Sequence, residues 1–200
     1  MRTLVHLVRH AEVENPGNTW YGRLDGYVLS ERGLRQAKAL GEYFAGRGLS
    51  GVYSSPLTRA VQTAEAIAQA TGLEVEVDPN LIETITHLEG GPADWRIFRK
   101  LRNIRYFVNP LRPSWGEPYP QVRRRMLAAI DRIRQEHPGA ESVAVSHMSP
   151  ILIARLMIEG IRRPPWATGT PCARASVTTL EFEGERYART EYVEVGSSVA

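Results

Sequence analysis

Thr3-Leu4-Val5-His6-Leu7-Val8-Arg9-His10-Ala11-Glu12 is the stretch that decides the fold. Its first six residues are almost continuously apolar, the composition of a strand buried on both faces of a sheet. Its last four change abruptly to a guanidinium, an imidazole, a methyl and a carboxylate. A buried strand ending this way places its polar residues at the carboxyl edge of an open α/β sheet, where such sheets hold ligands. An imidazole there can attack a phosphorus atom while the neighbouring guanidinium holds the phosphoryl oxygens.

Outward from this stretch, strands and helices alternate. Ser50 to Ser54 and Ser142 to His147 read as further short buried strands, and Glu74 to Val77 as another. Ser30 is the expected N-cap of a helix whose face is Leu34, Ala37, Leu40 and Phe44, stopped by Gly46 and Gly48. A second helix runs from Leu57 to Thr71 and ends at Gly72. Helices are also expected over 94–106 and 119–137, separated by the proline-rich loop 109–118, and from Pro150 to Gly160. Val177 to Phe182 and Tyr187 to Val195 form a hairpin around Glu183-Gly184-Glu185-Arg186. The pattern predicts a three-layer αβα sandwich with a mostly parallel central sheet and an antiparallel C-terminal edge hairpin. One domain, 1–200, is expected, with residues 86–120 capping the active edge and setting specificity.

The 200 residues are 42% hydrophobic and 24% charged, enough for one sizeable core. No apolar run is long enough to span a membrane, and no signal-peptide layout precedes the first strand, so a cytoplasmic location is expected. A lone Cys172 excludes an internal disulfide and a thiolate metal cluster. The net charge of +3 is uneven: residues 94–125 hold nine Lys or Arg against two acids. No nucleic-acid-binding motif accompanies that basic stretch, so nucleic acid is not an expected partner.

Four separated places carry phosphate-suited side chains at a strand end or in the turn beyond it. They are Arg9 with His10, Arg59, Glu83 and His147. Arg59 lies in the first turns of a helix, where a bound phosphate would meet both its planar fork of donors and the helix terminus. His147 closes the apolar run Val143-Ala144-Val145 and repeats the layout of His10. Singly, each has a bland reading as a packed histidine or a solvated charge. His6, His87 and His137 gain no support beyond that. No His-x-x-x-His, cysteine pair or carboxylate cluster points to a metal, and two arginines beside two histidines would repel one.

Together these segments resemble the histidine phosphatase superfamily, the phosphoglycerate mutase-like enzymes. Arg9-His10-Ala11-Glu12 matches its opening motif, and Gly22, Asp25 and Leu29-Ser30-Glu31-Arg32-Gly33 its next loop. Ser54-Ser55-Pro56-Leu57-Thr58-Arg59-Ala60-Val61-Gln62-Thr63-Ala64 is its longest signature. Leu81-Ile82-Glu83 and Val145-Ser146-His147 follow in the family's order. The resemblance implies His10 as nucleophile, its other ring nitrogen donating to a backbone carbonyl that fixes the tautomer. It implies Arg9, Arg59 and His147 around the transferring phosphoryl group, which lets the site work without metal or cofactor. Glu83 would protonate the leaving oxygen and then activate water, with an acid-to-neutral optimum. Asn15, with Asn18 as its rival, matches a phosphate-holding asparagine; Gly22 and Arg23 border the site. Ala11 and Met148 stand where the family usually has glycine, and Met148 is expected to narrow the pocket or make it more apolar.

The expected substrate is a small phosphomonoester. Val13-Glu14-Asn15-Pro16 and a compact middle differ from the glycolytic mutases, which favours hydrolysis over phosphoglycerate mutase-type transfer. A binding protein with little turnover is the remaining alternative, and it would not need nucleophile and acid together. Oligomeric state is open between monomer and homodimer.

Overall fold

The computed structural model describes residues 1–94, 96, 116–163 and 165–199. Its six-stranded sheet has the order β3-β2-β4-β1-β5-β6. The strands are β1 (Arg2–Arg9), β2 (Gly51–Ser54), β3 (Val75–Val77), β4 (Glu141–Ser146), β5 (Ser176–Glu183) and β6 (Arg186–Glu194). β3, β2, β4 and β1 are parallel, while β5 and β6 add antiparallel to the β1 edge. This is the α/β sandwich the sequence predicts, hairpin included.

Alternation within the central strands feeds two cores. Val5 and Leu7 of β1 and Ala144 of β4 pack with Met126, Ile130, Ile133 and Ile151. Val8, Val143 and Val145 face the other way, against Leu40, Phe44, Ala64 and Ile67. The first set comes from helices α3 (Tyr119–Glu136) and α4 (Met148–Ile158), the second from α1 (Glu31–Phe44) and α2 (Thr58–Thr71). Truncating one of the buried aliphatic side chains, such as Ile130→Ala, costs about 2–5 kcal/mol by the usual cavity penalty. His6 sits in the buried stretch of β1 because both ring nitrogens are used, Nδ1 at 2.9 Å from Thr179 Oγ1 and Nε2 at 3.1 Å from Glu141 Oε2.

Boundaries follow local chemistry. Ser30 Oγ accepts the Gly33 N–H at 3.0 Å and caps α1, and Gly72 ends α2 at φ 73°. α4 starts at Met148, two residues before the expected Pro150. Extended His147 is the N-cap, and a proline in the first turn removes only an N–H that has no partner within the helix. Trp95, all but Asp94 and Arg96 of the expected 94–106 helix, Trp115 and most of the 109–118 loop lie outside the described residues, and with them most of the 86–120 cap. Among the described residues no helix is long and apolar enough to cross a membrane.

β4 lies between β1 and β2, so the chain reverses its direction of growth there and leaves a crevice at the carboxyl ends. Pairing of Arg9 with Ser146 sets His10 beside His147, and the Ser55 N–H reaches the Val145 carbonyl at 2.9 Å. Ser146 Oγ donates to the Leu81 carbonyl at 2.6 Å, which ties the Glu83 segment to the same edge.

Candidate active site

His10 is buried, and its Nδ1–H donates to the Ala11 carbonyl at 2.8 Å, the arrangement the sequence anticipates. A carbonyl can only accept, so this bond assigns the tautomer and leaves the Nε2 lone pair free. Burial first, then the charges of Arg59 and Arg9, hold the imidazole well below the usual histidine range. That shift favours the neutral imidazole, the form a nucleophile needs.

The backbone after His10 is fixed from three helical side chains. Thr63 Oγ1 accepts the Ala11 N–H at 3.1 Å, Gln36 Oε1 the Glu12 N–H at 2.9 Å, and Gln62 Oε1 the Leu29 N–H at 2.9 Å. These contacts give Gln62 and Thr63 a physical role that the sequence motif alone does not disclose. A Cβ on Gly33 would overlap the Glu12 carbonyl, so only glycine lets α1 approach this loop. Ala11 itself is fully buried in the α1/α2 core, where its methyl packs without disturbing the loop.

Around His10, buried polar atoms lack partners. Among the described residues, three of the seven buried side-chain polar atoms without a hydrogen bond are Arg9 Nε, Arg59 Nε and His147 Nδ1. Leaving such groups unpaired is costly, and their clustering beside one histidine is what an oxyanion site requires. Arg9 Nη1 donates to the Cys172 carbonyl at 2.6 Å, and Arg59 Nη2 to the Gly22 carbonyl at 2.5 Å. The ring centroids of His10 and His147 lie 5.1 Å apart. Ser55 Oγ accepts the Leu57 N–H and lies 2.7 Å from His147 Nε2. That geometry suits a neutral His147 whose Nε2 accepts from Ser55 and whose Nδ1 carries the hydrogen. Burial, followed by His10 and Arg59, also holds its pKa well below the usual range.

Arg9 and His10 line a cavity of about 270 Å³ together with Asn15, Asn18, Gly22, Glu83, Met148 and Arg174. Arg59 and His147 lie behind this wall, each almost wholly buried, and Tyr21 roofs the Arg59 guanidinium at 4.7 Å. Glu83 Oε1 is held by the Thr84 N–H at 2.7 Å and the Thr84 hydroxyl at 3.2 Å. Burial raises its pKa against those donors and against Arg59 and Arg9, so it retains a proton more readily than an ordinary glutamic acid. Asn15 brackets its loop, accepting the Thr19 N–H and donating to the Thr19 carbonyl, both at 3.0 Å. Asn18 also reaches the cavity, from a left-handed backbone at φ 44°.

Arg23 departs from expectation. Its Nε donates to the Glu83 carbonyl at 2.6 Å and its Nη2 to Glu117 at 3.0 Å, so it buttresses the Glu83 loop instead of facing the cavity. Met148 is half-exposed and stands between this cavity and an apolar neighbour of about 470 Å³, walled by Trp20, Ile85, Leu152 and Pro165. His137 caps the end of α3 and contacts Tyr53 at 2.9 Å, far from the pocket in the sheet. Cys172 is a buried packed side chain whose thiol burial pushes up to about 11.

Arg174 was not foreseen. It occupies the turn Ala173-Arg174-Ala175-Ser176, closed by the Ser176 N–H to the Ala173 carbonyl at 3.2 Å. Ala175 adopts φ 52° at the turn position that glycine normally fills. Its N–H donates to the Arg9 carbonyl at 3.1 Å, which locks the turn to the end of β1. Neither periodicity nor motif marks this arginine in the sequence.

The fold and this edge define a doubly covered α/β protein with a cationic pocket around a tautomer-locked histidine. The chain belongs to the histidine phosphatase superfamily, whose branch 1 pattern matches residues 5–194. It is 44% identical over 195 residues to the uncharacterised Mycobacterium tuberculosis protein Rv0525, with 95% of each chain covered. It is 33% identical to phosphoserine phosphatase 1 of Hydrogenobacter thermophilus, covering 90% of this chain and 87% of that one. Among solved structures, mycobacterial glucosyl-3-phosphoglycerate phosphatase Rv2419c superposes with a TM-score of 0.79 at 25% identity, over 97% of this chain and 99% of the other.

Proposed function

We propose that the chain is a phosphomonoester phosphatase working through a phosphohistidine on His10. The observation that carries this reading is the His10 Nδ1–H bond to Ala11, which leaves Nε2 as the attacking atom beside the unpartnered buried Nε–H groups of Arg9 and Arg59. His10 Nε2 forms a bond to phosphorus as the ester P–O bond breaks, and Glu83 gives its proton to the departing oxygen. Arg9, Arg59 and His147 Nδ1 stabilise the charge spread over the equatorial oxygens. Glu83, now a carboxylate, takes a proton from water as that water attacks the phosphoryl group, releasing inorganic phosphate and restoring His10. The lowered His10 pKa favours the neutral nucleophile and the raised Glu83 pKa favours the protonated acid, so both shifts run in the direction the first step needs. The phosphatase names of the relatives support the same reading.

Rapid quenching with a ³²P-labelled aryl phosphate tests it. An acid-labile, alkali-stable label on His10 is expected, lost with activity in His10→Ala, while EDTA leaves turnover intact and vanadate inhibits. An undiminished rate in His10→Ala overturns the assignment. Incubation with 3-phosphoglycerate and a trace of bisphosphoglycerate separates hydrolysis from transfer. Interconversion to 2-phosphoglycerate far exceeding phosphate release would favour a mutase.

A further inference from the structure

We infer that Glu117 is a positioning residue for the proton transfer: its carboxylate, through Arg23 and Arg125, and its backbone hold the loop that carries Glu83. This rests on the phosphatase reading and names what aims its general acid. Glu83 lies between the single helical turn Pro79–Leu81 and Thr86, which bridges to Gly116, so its loop has no strand of the sheet to support it. The Glu83 carboxylate is bonded to Thr84 of the same loop. Where its proton points therefore follows where the loop backbone lies.

Three carbonyls of that loop are gripped together: Asn80 accepts from Arg125 Nη1 at 2.6 Å, Glu83 from Arg23 Nε at 2.6 Å, and Ile85 from the Glu117 N–H at 2.9 Å. Glu117 orders both guanidiniums. Its Oε2 accepts from Arg23 Nη2 at 3.0 Å and from Arg125 Nη2 at 3.1 Å, and its Oε1 from Arg125 Nε at 3.0 Å. The backbone approach is as close, since a Cβ on Gly116 would overlap the Ile85 carbonyl.

The Glu117 side chain is only 8% exposed, so these charge-assisted bonds are made largely out of water and fix geometry as well as adding energy. Burial lowers the Arg23 pKa, the Glu117 charge opposes that, and the Arg125 charge adds to it. The two guanidiniums thus repel across the carboxylate between them. Glu89 meets Arg23 at the backbone, its Oε1 accepting the N–H at 2.9 Å. Neutralising Glu117 would set two partly buried cations against each other and loosen their hold on the Asn80 and Glu83 carbonyls. A displacement of about 1 Å at a reacting group costs about 10²-fold in rate.

The test is kcat/KM, which reads the first phosphoryl transfer, for glycerol 3-phosphate and for p-nitrophenyl phosphate, whose leaving group needs no proton. In Glu117→Gln the alkyl ester should lose about 10- to 100-fold and the aryl ester little, as a misplaced acid would cause and a damaged fold would not. Arg125→Gln keeps Glu117 paired with Arg23; it should give a smaller loss of the same kind, and it serves as the test if Glu117→Gln does not fold. Glu117→Asp, with the charge kept at shorter reach, should recover part of the alkyl rate. In a Glu83→Gln background Glu117→Gln should cost nothing further, because the group it aims is gone. Equal losses on both esters, or an unchanged alkyl rate, overturn the inference. So does an alkyl loss that persists in the Glu83→Gln background, which would put Glu117 against the leaving group in the apolar cavity it also lines. If Glu83→Gln separates the two esters and Glu117→Gln does not, the clamp alone is removed. If Glu83→Gln itself fails to separate them, the acid assignment falls and the clamp with it, and inactivity towards both esters in the wild type removes the phosphatase reading.

Discussion

Arginines do opposite things at the two sides of β1. Towards the hairpin, Arg2 and Arg189 both grip Glu181, with Arg2 Nε and Arg189 Nε each at 2.8 Å from a carboxylate oxygen. Both side chains are more than half exposed, and the arginine hydrogen bonds pull Glu181 down to about 2. Both guanidiniums stay in water around a largely covered carboxylate, so the cluster adds little to stability, and Arg189 puts charge on the edge strand β6. At the carboxyl edge, Arg59 is 1% exposed, its Nε has no partner, and burial lowers its pKa. Holding Arg59 buried and half-satisfied beside His10 costs stability that a solvated arginine does not. The difference separates arginines that decorate the fold from arginines held at its expense.

Arg59→Met is the sharpest way to break that contrast. Replacing a buried, incompletely paired guanidinium with an apolar side chain of similar length should leave the melting temperature unchanged or raise it. Phosphatase activity should fall about 10³-fold or more, the scale of an arginine that stabilises a transferring phosphoryl group. Near-normal turnover, or a large drop in melting temperature, would place Arg59 with the structural arginines instead. Glu83→Gln should follow. Hydrolysis of alkyl phosphates is expected to drop about 10²- to 10⁴-fold, while p-nitrophenyl phosphate, whose leaving group needs no proton, falls much less. Equal losses on both substrates would show that Glu83 does not act as the acid.

Acid should reveal the same asymmetry in stability. His10 and His147 have folded pKa values well below the unfolded value of about 6.5. Below that value the unfolded chain takes up protons that the folded chain refuses, so stability falls as pH drops through it. Each histidine contributes a slope of up to about 1.4 kcal/mol per pH unit. Glu83 has the opposite sign: its raised folded pKa contributes stability at low pH that is lost as pH rises through the folded value. Urea denaturation at pH 7 and at pH 5 should show the loss, and the change should shrink in His10→Gln. An identical pH dependence in that variant would contradict a neutral, buried His10.

How much of this was legible in sequence depends on whether a signal is local. β1 and β4 were readable because burial on both faces writes a continuous apolar run, and their polar ends marked His10 and His147. Glu83 and Arg59 were readable only as parts of longer motifs, since an isolated carboxylate or arginine looks solvated. The pattern puts Pro150 at the first helical position, whereas α4 starts at Met148, because a proline fits anywhere in that first turn. The motif puts Arg23 at the pocket, and nothing local shows that Glu117, 94 residues away, claims it instead. Arg174 was invisible because its placement depends on a positive φ at an alanine. Sequence reasoning assigns that conformation to glycine.

The smallest effect expected is at the hairpin, and it completes the comparison. Glu181→Gln leaves the exposed Arg2 and Arg189 facing each other across β5, where water and salt screen both. Melting temperature should shift by no more than a few degrees at low ionic strength, and the shift should vanish in molar salt. Phosphatase activity should not change, because Glu181 lies within the β5–β6 pairing, away from the carboxyl ends of the parallel strands. A loss of activity in this variant would mean that the hairpin transmits strain along β5 to Ala175 and Arg174, and that the two groups of arginines are coupled. An unaltered enzyme would show that the edge charges act only on the surface they occupy, so that activity and fold draw on separate sets of the same residue.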